Sequence, residues 1–327
     1  MKTILYLNHD FFAYDRAIAK ELEKRGYQVL FRKFVRTAGF LDRRLCKKKG
    51  IPARQYASEC MQKAILKELE KKKVKVDVVL VTSGQALTEE TMQRLHEMYP
   101  KACFLWNLWD GKKEIGTFSQ LSPYFNHLIS FDKLEAKQCG FHYMSDFYLQ
   151  EYPAKEKKYD YCFVATNTEP RYRILQEMLA KANTENVFVY LKETPDQRLI
   201  PSLKRLFSGE EKRLAERKIF YNSLEYDTML EVFASSKCII DIAHPGQTGL
   251  SMRPFEAMAV QSKLVTTNPE IKNYDFYNPN NIFVVQPDEI QMPGRDFLDG
   301  AYEAIPEEIY KKYSVESWCD QLQELFS

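Results

Sequence analysis

The chain has 327 residues, of which 45% are hydrophobic and 28% charged, and its net charge is +2. That length holds two domains of ordinary size, and that composition belongs to packed proteins rather than disordered or collagen-like ones. No apolar run approaches the roughly 20 residues that cross a bilayer, and the first apolar stretch is too short for a signal-peptide core, so a cytoplasmic protein is expected.

Residues 2–8 are β-branched and apolar and predict an opening strand. A turn over 9–14 leads to a helix over 15–25, with Ile18, Ala19 and Leu22 inward, and Gly26 precedes a strand over 27–31. Strand–helix–strand at this spacing opens a parallel sheet. A long helix over 53–73 carries Ala57, Met61, Ile65 and Leu69 at period-four spacing. Strands follow at 76–81, 102–106 and 127–130, with helices at 89–98 and from Asp132 to about 139. The polar stretch 151–158, with Pro153, reads as a linker. The pattern then restarts. It gives a strand at 161–165, a helix at 170–181, strands at 187–191, 219–221 and 238–242, and helices near 209–217 and 224–236. A helix over 250–261, strands at 263–267 and 281–285 and a last helix over 306–326 complete it. The expected layout is an N-terminal α/β domain over 1–150, a second over 159–305, and a C-terminal helical segment over 306–327. Seven cysteines are scattered and never spaced Cys-x-x-Cys, which predicts reduced, structural thiols.

The charge is uneven. Residues 1–75 hold 20 Lys/Arg against 8 Asp/Glu, a balance of +12, which leaves −10 for the other 252. The excess gathers in segments 32–49 and 71–75, and Phe34, Phe40, Leu41 and Leu45 make the first of these amphipathic. A solvated helix face and a surface for anionic lipid headgroups, or for a lipid-linked phosphate, are both open readings. Nucleic acid is not an expected partner, because the aromatics lack stacking-platform spacing and no nucleic-acid module motif is present.

The most informative stretch is 241–256, Asp-Ile-Ala-His-Pro-Gly-Gln-Thr-Gly-Leu-Ser-Met-Arg-Pro-Phe-Glu. It runs from a buried strand through a turn with Pro245, Gly246 and Gly249 into an amphipathic helix, whose N-terminal N–H groups and dipole attract anions. Arg253 adds a planar fork suited to phosphate, and Glu256, one turn on, adds a carboxylate suited to a ribose diol. A nucleotide diphosphate would use these together. The dinucleotide Gly-x-Gly-x-x-Gly, the Walker loop, the Gly-x-Ser-x-Gly elbow and His-x-x-x-His are all missing, which weighs against hydride transfer, nucleotide triphosphate hydrolysis and serine hydrolysis.

The stretch 241–257, with Thr266-Thr-Asn268 and residues 274–282, resembles a family of bacterial glycosyltransferase-like proteins of capsular, exopolysaccharide or lipopolysaccharide biosynthesis. Looser echoes are Phe11-Phe-Ala-Tyr-Asp15, Trp109-Asp110, Ser130-Phe-Asp132 and Tyr159-Asp-Tyr-Cys-Phe163. The resemblance implies a GT-B fold, with two Rossmann-like α/β/α domains facing a central cleft and the C-terminal helix crossing back to the first. It implies a nucleotide-sugar donor held mainly by the second domain, a saccharide or lipid-linked acceptor held by the first, and neither metal nor cofactor. The donor residues it implies are His244, Gln247, Thr248, Gly249, Ser251, Arg253, Glu256 and Asn268, joined by Arg171 or Arg173. Where retaining members carry the first Glu of Glu-x7-Glu, this chain has Thr248, so inverting and retaining chemistry both stay open. For an acceptor hydroxyl to lose its proton, Asp110 is the leading base, with His9 and Asp10 beside it at predicted strand ends. An epimerase or hydrolase of nucleotide sugars, and a non-catalytic nucleotide-sugar-binding protein, are the alternatives. A lipid-linked acceptor and the basic segments together suggest residence on the inner face of the cell membrane.

Overall fold

In a computed structural model of the protein, residues 1–10, 13–153, 155–192, 219–220, 223–244, 246–286 and 289–327 are described. The helix expected near 209–217, and Phe11, Phe12, Tyr221 and Pro245, lie outside the described residues. The chain divides into two compact units, Met1–Ser145 with Val315–Ser327, and Asp146–Ser314.

The first unit begins with β1 (Thr3–Asn8), α1 (Tyr14–Lys24), β2 (Gln28–Lys33), α2 (Phe40–Lys49) and α3 (Ala53–Lys72). It continues with β3 (Val78–Thr82), α4 (Glu89–Met98), β4 (Cys103–Leu108), α5 (Phe118–Leu121), β5 (His127–Ser130), α6 (Lys133–Cys139) and β6 (His142–Tyr143). Its sheet has the order β2-β1-β3-β4-β5-β6, parallel throughout. Every residue of β1 and β3 is buried, which is why these strands read as unbroken apolar runs rather than alternating ones. On one face Leu5, Val79, Val81 and Trp106 join Ile65 and Leu69 of α3 and Met92 and Leu95 of α4 in a single cluster.

The second unit holds β7 (Tyr159–Thr166), α7 (Glu169–Lys181), β8 (Val187–Lys192), β9 (Ile219–Phe220), α8 (Tyr226–Ala234) and β10 (Ser236–Asp241). Then come α9 (Met252–Ala259), β11 (Lys263–Thr266), β12 (Ile282–Val284), α10 (Arg295–Asp299) and α11 (Glu307–Lys312). The order of its parallel sheet is β12-β11-β10-β7-β8-β9. Alternate residues of its central strands feed two separate clusters. Cys162, Val164 and Ile239 pack with Phe233 of α8 and Phe255 of α9, whereas Tyr161, Phe163 and Ile240 pack with Leu175 of α7 and Leu298 of α10. Both faces are therefore covered, the Rossmann-like α/β/α layering that the resemblance implied.

Two boundaries differ from the expected ones. The division falls after Ser145, and the segment read as a linker is bonded into the second unit. There Tyr152 N–H donates to the Ala259 carbonyl, and Lys157 Nζ to the Ala234 carbonyl and Ser262 Oγ. The last helix is also not continuous. It breaks at Tyr313 and Ser314, where Tyr313 OH donates to Asp275 and the Tyr313 carbonyl accepts from Tyr148 N–H. Only the part beyond the break, α12 (Val315–Glu324), belongs to the first unit, where it packs on α1. Arg25 clamps it through Asp320 and the Glu316 carbonyl, each at 2.8 Å.

At the end of β3 the backbone turns sharply, with positive φ at Ser83, Gly84 and Ala86. A Cβ on Gly84 would stand 2.4 Å from Trp106 Cζ2. Gly84→Ala should therefore cost roughly 2–4 kcal/mol, from overpacking and a left-handed φ together. A denaturation midpoint equal to that of the parent chain would contradict the packing of this turn on Trp106.

Candidate functional site

In the second unit the chain lays down β7, β8 and β9 in one direction and then returns to add β10, β11 and β12 on the other side of β7. Loops leave the carboxyl ends of β7 and β10 in opposite directions, and such a switch point opens a crevice for ligands. Residues 242–244 and 246–251 lie there.

Asp241, the last residue of β10, holds this end together. Its buried carboxylate accepts from Ser251 Oγ at 3.1 Å and from Thr266 Oγ1 at 2.8 Å. Ser251 is the N-cap of α9 and accepts from the Arg253 N–H at 3.3 Å. Thr266 Oγ1 accepts from the Asn268 N–H at 3.1 Å, and Asn268 Nδ2 donates to the carbonyls of Thr248 and Gly249, both at 3.2 Å. Gln247 Nε2 also donates to the Gly249 carbonyl, and Thr267 Oγ1 accepts from the Ala243 N–H. The loop is thus tied at several points to residues 266–268 by side-chain hydrogen bonds.

Two arginines converge on the same end of the sheet. The Arg253 guanidinium lies 4.5 Å above the Phe233 ring, donates to the Val164 carbonyl of β7 at 2.8 Å, and pairs with Glu256. Glu256 is buried and Arg253 half-buried, their side chains 3% and 17% exposed. Arg171, from the first turn of α7, donates to the Ile242 carbonyl at 3.2 Å and the Thr166 carbonyl at 3.3 Å. Burial pushes the Arg171 pKa down; the Asp241 charge opposes this and the Arg253 charge adds to it. Arg173 lies two positions, about 200°, further round α7 and is exposed, as is His244. Asp146 is buried, and desolvation, followed by the nearby Glu256 charge, raises its pKa well above the carboxylate range.

The three candidate bases lie at strand ends of the first unit. His9 follows β1 and its Nε2 sits 3.0 Å from the Gln85 carbonyl. A carbonyl can only accept, so Nε2 carries the proton and the lone pair is on Nδ1. Burial lowers the His9 pKa to about 4, which keeps the ring neutral at pH 7. Asp10, at φ 55°, is forked by Arg16 at 2.9 and 3.1 Å, and these hydrogen bonds hold its pKa below the usual value. Asp110 Oδ2 accepts from Gln85 Nε2 at 2.9 Å and Ser83 Oγ at 3.4 Å. Gln85 thereby links His9 to Asp110. Among the described residues no cluster of three or more His, Cys, Asp or Glu gathers as a metal site.

Sequence reasoning assigned no role to Asp241, Thr266, Thr267, Ser83, Gln85 or Asp146. For Asp241 a signal existed, a single carboxylate ending an otherwise apolar strand, Cys238-Ile-Ile-Asp241. For the others the partners are too far away in sequence to be read locally.

No protein-family model matches the chain, and neither does any curated protein. Solved structures do match it. HepE from Anabaena, in complex with UDP and glucose, is 11% identical over 99% of each chain, with a TM-score of 0.65. The α,α-trehalose-phosphate synthase (UDP-forming) of Burkholderia xenovorans, in complex with glucose-6-phosphate, is 12% identical over 100% of each chain, with a TM-score of 0.60. The UDP-GlcNAc 2-epimerase of Neisseria meningitidis, bound to UDP-GlcNAc, is 12% identical over 99% of each chain, with a TM-score of 0.54. At these identities the likeness is one of fold, and the fold is GT-B.

Asp241→Ala would leave the half-buried hydroxyl of Ser251 and the buried one of Thr266 without their acceptor, at roughly 2–4 kcal/mol. Hydrogen exchange should then quicken across 243–251, and unchanged protection would count against Asp241 as the anchor. His9 gives a pH signature. The unfolded chain takes up a proton near pH 6.5 and the folded one only near 4. The stability from keeping this ring neutral is complete above pH 6.5 and is lost as pH falls toward 4, by up to about 3 kcal/mol. His9→Gln should flatten the stability curve in that window, as followed by urea denaturation.

Proposed function

We propose that the protein is a glycosyltransferase that takes a nucleotide-diphosphate sugar as donor and transfers the sugar to a saccharide or lipid-linked acceptor in bacterial surface polysaccharide synthesis. The observation that carries this reading is the convergence of Arg171 and Arg253 on the carboxyl ends of β7 and β10, at the switch point that the start of α9 shares. Pro254 has no N–H and the Ser251 hydroxyl takes that of Arg253. In the first turn of α9 this leaves the Met252 N–H and the helix dipole for an anion, so most of the positive charge for a diphosphate comes from the two guanidiniums. Glu256 supplies a carboxylate for the ribose, and His244 and Gln247 on the adjoining loop face the donor sugar in this reading. The likeness to HepE, in complex with UDP and glucose, supports the choice of ligand class.

In the reaction a base removes the acceptor's hydroxyl proton, the oxygen attacks the anomeric carbon, and the nucleoside diphosphate departs with the bonding electrons. Arg171, Arg253 and the start of α9 stabilise the leaving charge, with no metal required in this scheme. His9 has a lone pair ready on Nδ1, and Asp110 is linked to it through Gln85, whereas Asp10 is neutralised by Arg16. His9 and Asp110 are accordingly the preferred bases. Epimerisation of a nucleotide sugar is the second reading, favoured by the fold of the Neisseria enzyme; it predicts turnover of the donor without any acceptor.

A thermal-shift panel of UDP-, GDP-, CMP- and dTDP-sugars should single out one class of donor. Arg171→Ala and Arg253→Ala should each weaken its binding by about 10–100-fold, the worth of a charge-assisted contact. Product should form on a saccharide or lipid-diphosphate acceptor, with an acid limb of kcat/KM near pH 4 that disappears in His9→Gln. Failure of every sugar nucleotide to bind, or equal binding by both arginine variants, would overturn the donor assignment. A limb near the ordinary histidine pKa would remove His9 from the mechanism.

A further inference from the structure

Helix α2 carries a surface that the donor reading does not use. Asp42 and Cys46 form its buried side. Asp42 takes both Arg36 Nη atoms, at 2.6 and 2.8 Å, and the Gly39 N–H at 2.7 Å, which fixes the rotation of the helix. The opposite side then faces outward with Phe40 80% exposed, Leu41 67% and Leu45 41%. Only five large apolar side chains are this exposed among the described residues, and three of them stand on this one ten-residue helix. Scattered exposed apolar residues need no explanation, but a contiguous group does.

The charges around them are equally uneven. The basic residues that lead into this helix are matched within the unit: Arg32 by Glu68, Lys33 by Asp10 and Arg36 by Asp42. Arg43, Arg44, Lys47, Lys48 and Lys49 pair with no carboxylate among the described residues, and Lys49 lies over the Tyr56 ring. At about 100° per residue, Phe40, Arg44, Lys48, Leu41 and Leu45 fall within one arc of roughly 140°. Arg43 and Lys47 flank that arc on one side and Lys49 on the other. Residues 71–75 are not part of it. They sit at the far end of α3, whose 20 residues span about 30 Å, so the basic surface expected from the sequence narrows to α2.

We propose that α2 docks the protein on an anionic phospholipid bilayer. The helix lies in the interface plane, with Phe40, Leu41 and Leu45 entering the boundary between headgroups and acyl chains. Arg44 and Lys48, between them, lay their aliphatic stems along the same boundary and reach back to lipid phosphates, which Arg43, Lys47 and Lys49 also meet. A nucleic acid would satisfy the cations and leave the three apolar side chains in water. A bilayer offers hydrocarbon directly beneath fixed negative charge, which is the combination this face presents. The inference goes beyond the donor reading and stands without it.

The test is co-sedimentation of the full chain with vesicles of phosphatidylcholine alone and of phosphatidylcholine mixed with phosphatidylglycerol, at low and high salt. Binding is expected to the anionic vesicles and to weaken with salt. Each cation near such a surface contributes about fivefold. Lys47→Glu/Lys48→Glu/Lys49→Glu should therefore lower partitioning by about 100-fold or more. Phe40→Ser/Leu41→Ser should lower it at both salt concentrations, with circular dichroism and melting unchanged. In a Phe40→Trp variant the indole emission should shift to the blue and be quenched by lipids brominated on the acyl chain, which reports insertion directly. Three results would each overturn the proposal: vesicle binding untouched by both sets of variants, indole emission that ignores the brominated lipid, or a dimer in sedimentation velocity that Phe40→Ser/Leu41→Ser dissociates while anionic vesicles bind nothing.

Discussion

A carboxylate buried at the end of a strand has to be fully hydrogen-bonded, because an isolated one costs several kcal/mol or gives up its charge. Asp241 meets that constraint with two hydroxyls from different elements, Ser251 at the start of α9 and Thr266 in β11. The consequence is geometric. The strand end, the helix start and the neighbouring strand are held in one arrangement, and Asn268, anchored on Thr266, extends it to the carbonyls of Thr248 and Gly249. The loop at the switch point owes its shape to these polar ties more than to apolar packing.

The first unit solves the same problem with other residues. Its strand order places the switch point between β1 and β3, and there Asp15 of α1, wholly buried, accepts from Tyr6 OH of β1 at 2.6 Å and Thr82 Oγ1 of β3 at 2.9 Å. Burial and the Asp15 charge hold the Tyr6 hydroxyl protonated far above its usual range, so it remains a donor. In both units a helix near the switch point is fastened to two strands through a carboxylate under the sheet's end. The loops beside it, carrying His9 in one unit and residues 242–251 in the other, are free to differ. This is how one scaffold can hold two unlike sites on similar supports.

Much of the layering was legible because buried parallel strands declare themselves. The apolar runs of β1, β3 and β10 need no tertiary context, and Asp132 reads locally as a helix cap. What escaped local reading was fixed by partners far along the chain. The break between α11 and α12 depends on Tyr148 and Asp275, and the polar stretch after Glu151 gains its order from Ala234, Ala259 and Ser262. Arg253 illustrates the limit best. Its place in the first turn of a helix was evident, but the direction of its fork was not. Val164, Met229 and Phe233, which receive it, come from β7 and α8.

That direction bears on how an anion would bind. With its fork on a carbonyl and on Glu256, Arg253 is a half-buried cation already balanced, and Arg171, resting on two carbonyls, is balanced by Asp241 less completely, as its lowered pKa indicates. Asp146 adds little negative charge of its own, since burial beside Glu256 favours its protonated form. A diphosphate arriving at the start of α9 therefore meets two guanidiniums, one incompletely neutralised, in surroundings of low dielectric where each charge acts over a longer distance than in water. Binding strength would come from completing the electrostatic balance of Arg171. Arg253 adds the second guanidinium while it holds Glu256 and the strand end in place, so within the proposed donor site it is Arg171 that has the most to gain from the anion.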